Sequence, residues 1–192
     1  FNAARALFSQ YGYDYVSTRL IAEKADTTPA MIRYYFGNKQ GLYFSILTEA
    51  GSNINAMLRE FNRAPKLAHL EQFFLGFYEY FYLNNTHTPT LLRRNISDGG
   101  DMVLLEKVIE TGPKPAYKLL VSIIEKLQTH QQIRADLDSG LLAIQIMSLC
   151  AYPCIFNPMI ERIMDRTLDK QFYLQLAQQN LKVLFTSIMP EQ

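Results

Sequence analysis

Between Ser17 and Lys39 the chain reads STRLIAEKADTTPAMIRYYFGNK, and the side chains best able to do chemistry gather there. Thr18, Arg19, Thr27, Thr28, Arg33, Tyr34, Tyr35 and Lys39 supply hydroxyls, guanidinium groups, phenols and an ammonium. Groups of this kind bond phosphate oxygens and the edges of base pairs. Other chemistries are poorly served. His69, His87 and His130 fall in separate segments, and no histidine pair stands at metal-ligand spacing. No nucleophile motif and no glycine-rich phosphate loop is present. The chain does not read as an enzyme, and its residues imply no cofactor and no metal.

Two short helices must position these groups. Thr18 or Ser17 offers an N-cap hydroxyl to a helix carrying Leu20, Ile21 and Ala25, and Asp26-Thr27 makes a tight turn. Thr28 caps a second helix with Pro29 at its first position, where the missing N–H costs nothing, and Met31, Ile32, Tyr35 and Phe36 give it an apolar side. Gly37-Asn38 closes it. The arrangement is a helix-turn-helix, whose second helix suits a major groove. Thr27, Thr28, Pro29, Ala30, Arg33 and Tyr34 occupy its start and outer face. The methyl of Ala30 can meet a thymine methyl; Arg33 can reach a guanine edge or a phosphate. Tyr34 and Tyr35 can donate to phosphates, as can Lys39, and Thr18 and Arg19 can hold the opposite strand. Phe36 reads as core.

The segment Ala25 to Lys39 resembles the signature of TetR-family transcriptional regulators through Ala25, Thr28, Ala30, Ile32, Tyr34, Tyr35, Phe36, Lys39 and Leu42. The likeness covers roughly the first fifty residues. Two positions depart from the pattern: Asp26 stands where glycine is usual, though aspartate tolerates the left-handed turn conformation, and Arg33 stands where tyrosine is frequent. The resemblance implies an all-α chain with a three-helix DNA-binding domain over 1–48 and a helical ligand-binding and dimerisation domain over 49–192. It implies a cytoplasmic homodimer that binds a double-stranded DNA operator and answers a small-molecule effector, usually as a repressor. A carrier or protein-interaction module that no longer binds DNA is the other reading.

Composition fits a folded chain of one or two domains: 192 residues, 48% of them hydrophobic. No apolar run reaches the roughly 18 residues a membrane span needs, so no membrane partner is expected. Phe1 already lies in an expected helix, so the DNA-binding domain is expected to lack its first residues. Net charge is only +1, so motif rather than charge points to nucleic acid. Cys150 and Cys154 fit neither a disulfide framework nor a zinc site and read as reduced, buried thiols.

The first helix presents Ala4, Leu7, Phe8 and Tyr11 on one stripe before Gly12. A long connector from Asn38 or Lys39 runs to Ala64-Pro65, weakened by Gly51 at about 1 kcal/mol. Residues 66–84 are densely aromatic and suit either core or the wall of an effector cavity; Tyr82 belongs to this run. The cavity candidates are Phe74, Phe77, Tyr78 and Phe81, with Met102, Tyr117, Met147 and Cys150. A short helix from Thr88-Pro89 to Ile96, a loop at Asp98-Gly99-Gly100 and a helix from Asp101 follow. Gly112-Pro113-Lys114-Pro115 interrupts the next helix as a kink or a loop. A helix from Asp136, Asp138 or Ser139 is expected to end before Pro153, and a last one to run from Leu168 to Ile188. These two suit a four-helix dimer interface through Leu142, Gln145, Ile146, Leu149, Phe172, Leu176 and Leu184, or burial within one subunit.

Overall fold

Local capping chemistry sets several helix starts in the computed structural model, which describes residues 1–81, 87–97 and 102–190, excluding the side chains of 95–97. Helix α1 (Asn2–Tyr11) stops at Gly12, whose φ of 88° suits a residue without a Cβ. Ser17 rather than Thr18 caps α2 (Thr18–Lys24), its Oγ accepting from the N–H of Leu20 at 3.1 Å. Asp26 takes a φ of 49° in the turn that follows. Thr28 caps α3 (Pro29–Phe36), and Asn38 caps α4 (Lys39–Arg63), accepting from the N–H of Gly41 at 2.8 Å. Then come α5 (Leu67–Glu79), α6 (His87–Ser97), α7 (Met102–Thr111), α8 (Pro113–Thr129), α9 (Ser139–Ile155), α10 (Asn157–Met164) and α11 (Lys170–Ile188). No strand occurs among the described residues. Tyr82, the loop at 98–100 and the start at Asp101 lie outside the described residues, as does the side chain of Ile96.

Three prolines behave differently from their sequence reading. The interruption around 112–115 narrows to Gly112 alone, because Pro113 and Pro115 occupy the first turn of α8, where no N–H is needed within the helix. Pro153 does not end α9, which continues to Ile155. Each proline leaves the carbonyl four residues before it without a helical donor. Another helix supplies one in two cases. The Nδ2 of Asn55 on α4 donates to the Thr111 carbonyl at 3.1 Å, which Pro115 cannot reach, and also to Gly112 O at 3.2 Å. The Tyr78 hydroxyl on α5 donates to the Leu149 carbonyl, the partner that Pro153 lacks, at 2.6 Å. The last helix starts at Lys170 rather than Leu168, because Asp169 caps it and Leu168 turns into the core, 3% exposed.

Two apolar clusters organise the chain. One gathers Ala4, Leu7, Phe8, Val16, Ile21, Ile32, Leu42 and Leu47, and also takes in Leu91 of α6 with Leu104 and Val108 of α7. The other begins along α4 at Ile54 and continues through α5, α8, α9 and α11. Tyr11 and Leu20 stay exposed, and only Ile32 of α3 is buried. Met31 and Tyr35 face outward, and Phe36 is half-buried, with its ring 6.2 Å from that of Phe1. Among the described residues no single helix is long and apolar enough to cross a membrane.

Candidate nucleic-acid interface and ligand cavity

Helix α3 is held by one buried residue and presents the rest of itself outward. Ile32 is 5% exposed, whereas Tyr34 is 80% and Tyr35 67% exposed, their rings edge to face at 5.0 Å. Thr27, Thr28, Pro29, Ala30 and Arg33 are exposed with them, so the structure brings the expected base-reading residues onto one outer face. The caps fix that face. The hydroxyl of Thr28 is turned back to the N–H of Met31 at 3.4 Å, which orients the helix start but leaves the hydroxyl hydrogen free for an outside acceptor. Arg33 makes no ion pair among the described residues.

Flanking positions supply cations and hydroxyls. Arg19 is exposed and Thr18 half-buried at the start of α2. The Nζ of Lys39 sits 4.2 Å from the centroid of the Tyr13 ring, a cation–π contact that holds the ammonium at the first turn of α4. Tyr15, 85% exposed just before the Ser17 cap, was not among the expected residues. A large aromatic two residues ahead of a polar N-cap was the available signal. Arg5 pairs with Glu49, tying α1 to α4 beneath this face.

Helix α4 connects that face to an internal cavity of about 170 Å³. Thr48, Gly51, Ile54 and Leu58 of α4 form one wall, Phe73, Phe77 and Phe81 a second, and Met147, Cys150 and Cys154 of α9 a third. Gly51 has a packing reason to be glycine: a Cβ there would lie 2.7 Å from the Cα of Gly112, so α4 and the α7–α8 junction touch backbone to backbone. The lining carries no charged side chain among the described residues. Burial pushes the Cys150 thiol well above its usual range and that of Cys154 up to about 12, so both stay protonated and neutral.

Of the expected cavity residues, Phe77, Phe81, Met147 and Cys150 line this space, and the other four lie elsewhere. Phe74 and Tyr78 occupy the opposite stripe of α5, which packs on α11; the Tyr78 ring is 5.6 Å from that of Tyr173, and Asn180 donates to its hydroxyl at 3.1 Å. Burial drives the Tyr78 phenol far above its ordinary value. Met102 is 72% exposed at the start of α7. Tyr117 is half-buried against the second cluster, with its hydroxyl beside Gly140.

A separate, open groove runs between α9 and α11, floored by Leu142, Leu149, Leu176 and Leu184. Exposed Leu141, Ile144, Tyr152 and Val183 rim it together with Gln145. Ile146 does not reach it and is 1% exposed in the core. Phe172 also faces elsewhere, beneath the Arg166 guanidinium at 5.5 Å. Among the described residues no cluster of three or more His, Cys, Asp or Glu could hold a metal.

An amino-terminal helix-turn-helix is thus followed by a helix that walls an apolar cavity in a helical second half, an all-α architecture. Residues 1–46 match the family described as bacterial regulatory proteins, tetR family. Solved structures share the fold along nearly the whole chain. FadR of Bacillus subtilis, in complex with stearoyl-CoA, has a TM-score of 0.76 at 17% identity, covering 95% of this chain and 94% of its own. PfmR of Thermus thermophilus, a TetR family regulator, has 0.73 at 16% identity, covering 99% and 94%. The ketosteroid regulator KstR2 of Mycobacterium tuberculosis has 0.69 at 17% identity, covering 99% and 93%. At these identities the likeness establishes the fold alone. No curated protein matches the chain in sequence.

Proposed function

We propose that this protein is a ligand-responsive, DNA-binding transcriptional regulator: a repressor released from its operator when a small, largely apolar molecule fills the cavity. The observation that carries this reading is the double duty of α4. The helix that starts beside α3 with Lys39 also walls the cavity with Thr48, Gly51, Ile54 and Leu58. A guest that favours one position of α4 shifts the population of DNA-competent molecules by its differential affinity for the two positions. Val108 and Leu47 strengthen the connection, since each belongs to the first apolar cluster and also lines the cavity.

The division into a DNA-binding domain over 1–48 and a ligand and dimerisation domain over 49–192 belongs to this proposal, with α6 and α7 packing back onto the first. A homodimer formed along the α9–α11 groove would present two copies of α3, which paired half-sites require to lie about one helical turn of DNA apart. Thr18, Arg19, Lys39 and the tyrosine hydroxyls would contact phosphates, and Ala30 and Arg33 the bases. The location is the bacterial cytoplasm, on the nucleoid when bound. The carrier reading is not favoured, because Tyr34 and Tyr35 remain outward with no partner element covering them.

A gel-shift with the DNA flanking the protein's own gene tests the proposal. A retarded complex that dissociates on adding a compound able to raise the melting temperature supports it. Unchanged operator affinity across every compound that stabilises the protein defeats the regulatory half, and no retardation of any duplex defeats the whole.

A further inference from the structure

A second space of about 230 Å³ adjoins the cavity at the start of α10. The two share Phe81, Pro89, Cys154 and Ile155, so they meet along a common wall. Together they reach the range of about 300 to 1,000 Å³ occupied by small-molecule sites. Their walls differ in kind. The first space offers a guest almost nothing to bond: Thr48 is its one hydroxyl side chain among the described residues, and its Oγ1 donates to the Phe44 carbonyl at 2.9 Å.

The second space carries the polar groups. Thr90, Asn157 and Tyr173 border it. Asn157 donates through Nδ2 to the Tyr173 hydroxyl at 2.8 Å, which leaves its amide oxygen with no donor among the described residues. The Thr90 hydroxyl likewise has no partner among them. An acceptor and a hydroxyl thus stand half-buried and unused at the end of a carbon-walled space. No Lys, Arg, His, Asp or Glu lines either part among the described residues. A carboxylate or quaternary ammonium entering here would lose its hydration without gaining a counter-charge, whereas a hydroxyl or amide loses little if it is bonded.

We propose that the two spaces form one site for a neutral amphiphile, with its hydrocarbon body between Phe77 and Leu120 and an uncharged hydrogen-bonding head against Thr90 and Asn157. The proposal rests on the ligand-responsive reading above and names the chemical class of its ligand. The head donates to the Asn157 amide oxygen and accepts from the Thr90 hydroxyl, a pattern that alcohols and primary amides satisfy and simple ions do not.

Titration calorimetry of the full chain with three chain-matched probes, decanol, decanoate and decyltrimethylammonium, each below its micellar concentration, tests this. Decanol is expected to bind at least tenfold more tightly than either ion. Thr90→Val, at the half-buried edge, should weaken decanol three- to tenfold while the melting temperature of the free protein holds, and Asn157→Leu should weaken it as much while lowering that temperature, because it also removes the donor to Tyr173. Equal or tighter binding of decanoate or the ammonium overturns the proposal, as does decanol affinity indifferent to both substitutions, or no binding of decanol. The same decanol complex is then tried on the operator gel-shift. Binding without release leaves this site standing and removes the regulatory reading. Release by another compound that displaces no decanol and binds where decanol does not leaves regulation standing and removes this site.

Discussion

The Tyr78 hydroxyl and the Leu149 carbonyl lie 2.6 Å apart because Pro153, four residues after Leu149, has no N–H to give. A side chain from α5 replaces the missing rung of α9, so the helix passes its proline and delivers Cys150 and Cys154 to the cavity wall. Tyr78 is 2% exposed, and removing its hydroxyl strands a buried acceptor. Tyr78→Phe is expected to cost about 1 to 3 kcal/mol of stability. In a Pro153→Ala background the new N–H can serve Leu149, and the same change should cost less. Equal losses in the two backgrounds, measured by denaturant unfolding, would break this link.

The Gly51–Gly112 contact makes a second, opposite kind of demand. With a Cβ at 51 set 2.7 Å from the Gly112 Cα, Gly51→Ala must push α4 away from the α7–α8 junction, despite the better helix propensity of alanine. Overpacking of this sort costs about 1 to 3 kcal/mol. The expected readout is a lower unfolding midpoint with an unchanged denaturant slope. A gain in stability would mean that α4 yields freely at this point.

These two relationships mark where the sequence stopped being legible. Helix starts at Thr28, Asn38 and Asp138 could be read because caps are local, each side chain bonding an N–H three residues on, whereas Asp169 makes the same bond just past the expected start at Leu168. The fates of Pro115 and Pro153 could not, since Asn55 and Tyr78 are distant in sequence and become partners only through packing. Nor does periodicity within the first helices reveal that Leu91, Leu104 and Val108 complete their core. The aromatic run was half legible. Phe73, Phe77 and Phe81 form one four-residue stripe and Phe74 with Tyr78 another, yet spacing alone cannot say that the first faces the cavity and the second faces α11.

Alkaline pH should loosen the α9 wall. Burial raises both thiols, Cys154 from 9.0 to about 12 and Cys150 well above 9.0, so the folded chain keeps their protons where the unfolded chain releases them. Their stabilising effect is complete below about pH 9 and fades as pH climbs toward the folded values. At pH 10.5 Cys154 is expected to have forfeited about 2 kcal/mol, and Cys150 adds a loss of the same sign. Tyr78, raised by burial as well, adds a loss of the same sign above pH 10.0. Melting curves at pH 7.5 and 10.5 should show a drop that Cys150→Ala with Cys154→Ala makes smaller. A drop of equal size in the double variant would assign it to other groups.

At the DNA face, Arg33 and Lys39 should fail in different ways. Arg33 projects from the exposed face of α3 with no ion pair among the described residues, placed to meet a base edge, where a bidentate contact to guanine is worth about 1 to 3 kcal/mol of discrimination. Lys39 is held over Tyr13 at the first turn of α4, where its charge can face a phosphate whatever the sequence. Arg33→Ala should therefore flatten specificity at one or two operator positions and spare the rest. Lys39→Ala should weaken every sequence evenly and lower the slope of log affinity against log salt by about 1. Affinities over a set of single-base operator variants at several salt concentrations separate the two. If the arginine change proved uniform and the lysine change selective, α3 would have to lie in the groove in a different orientation, with the start of α4 rather than its own outer face over the bases.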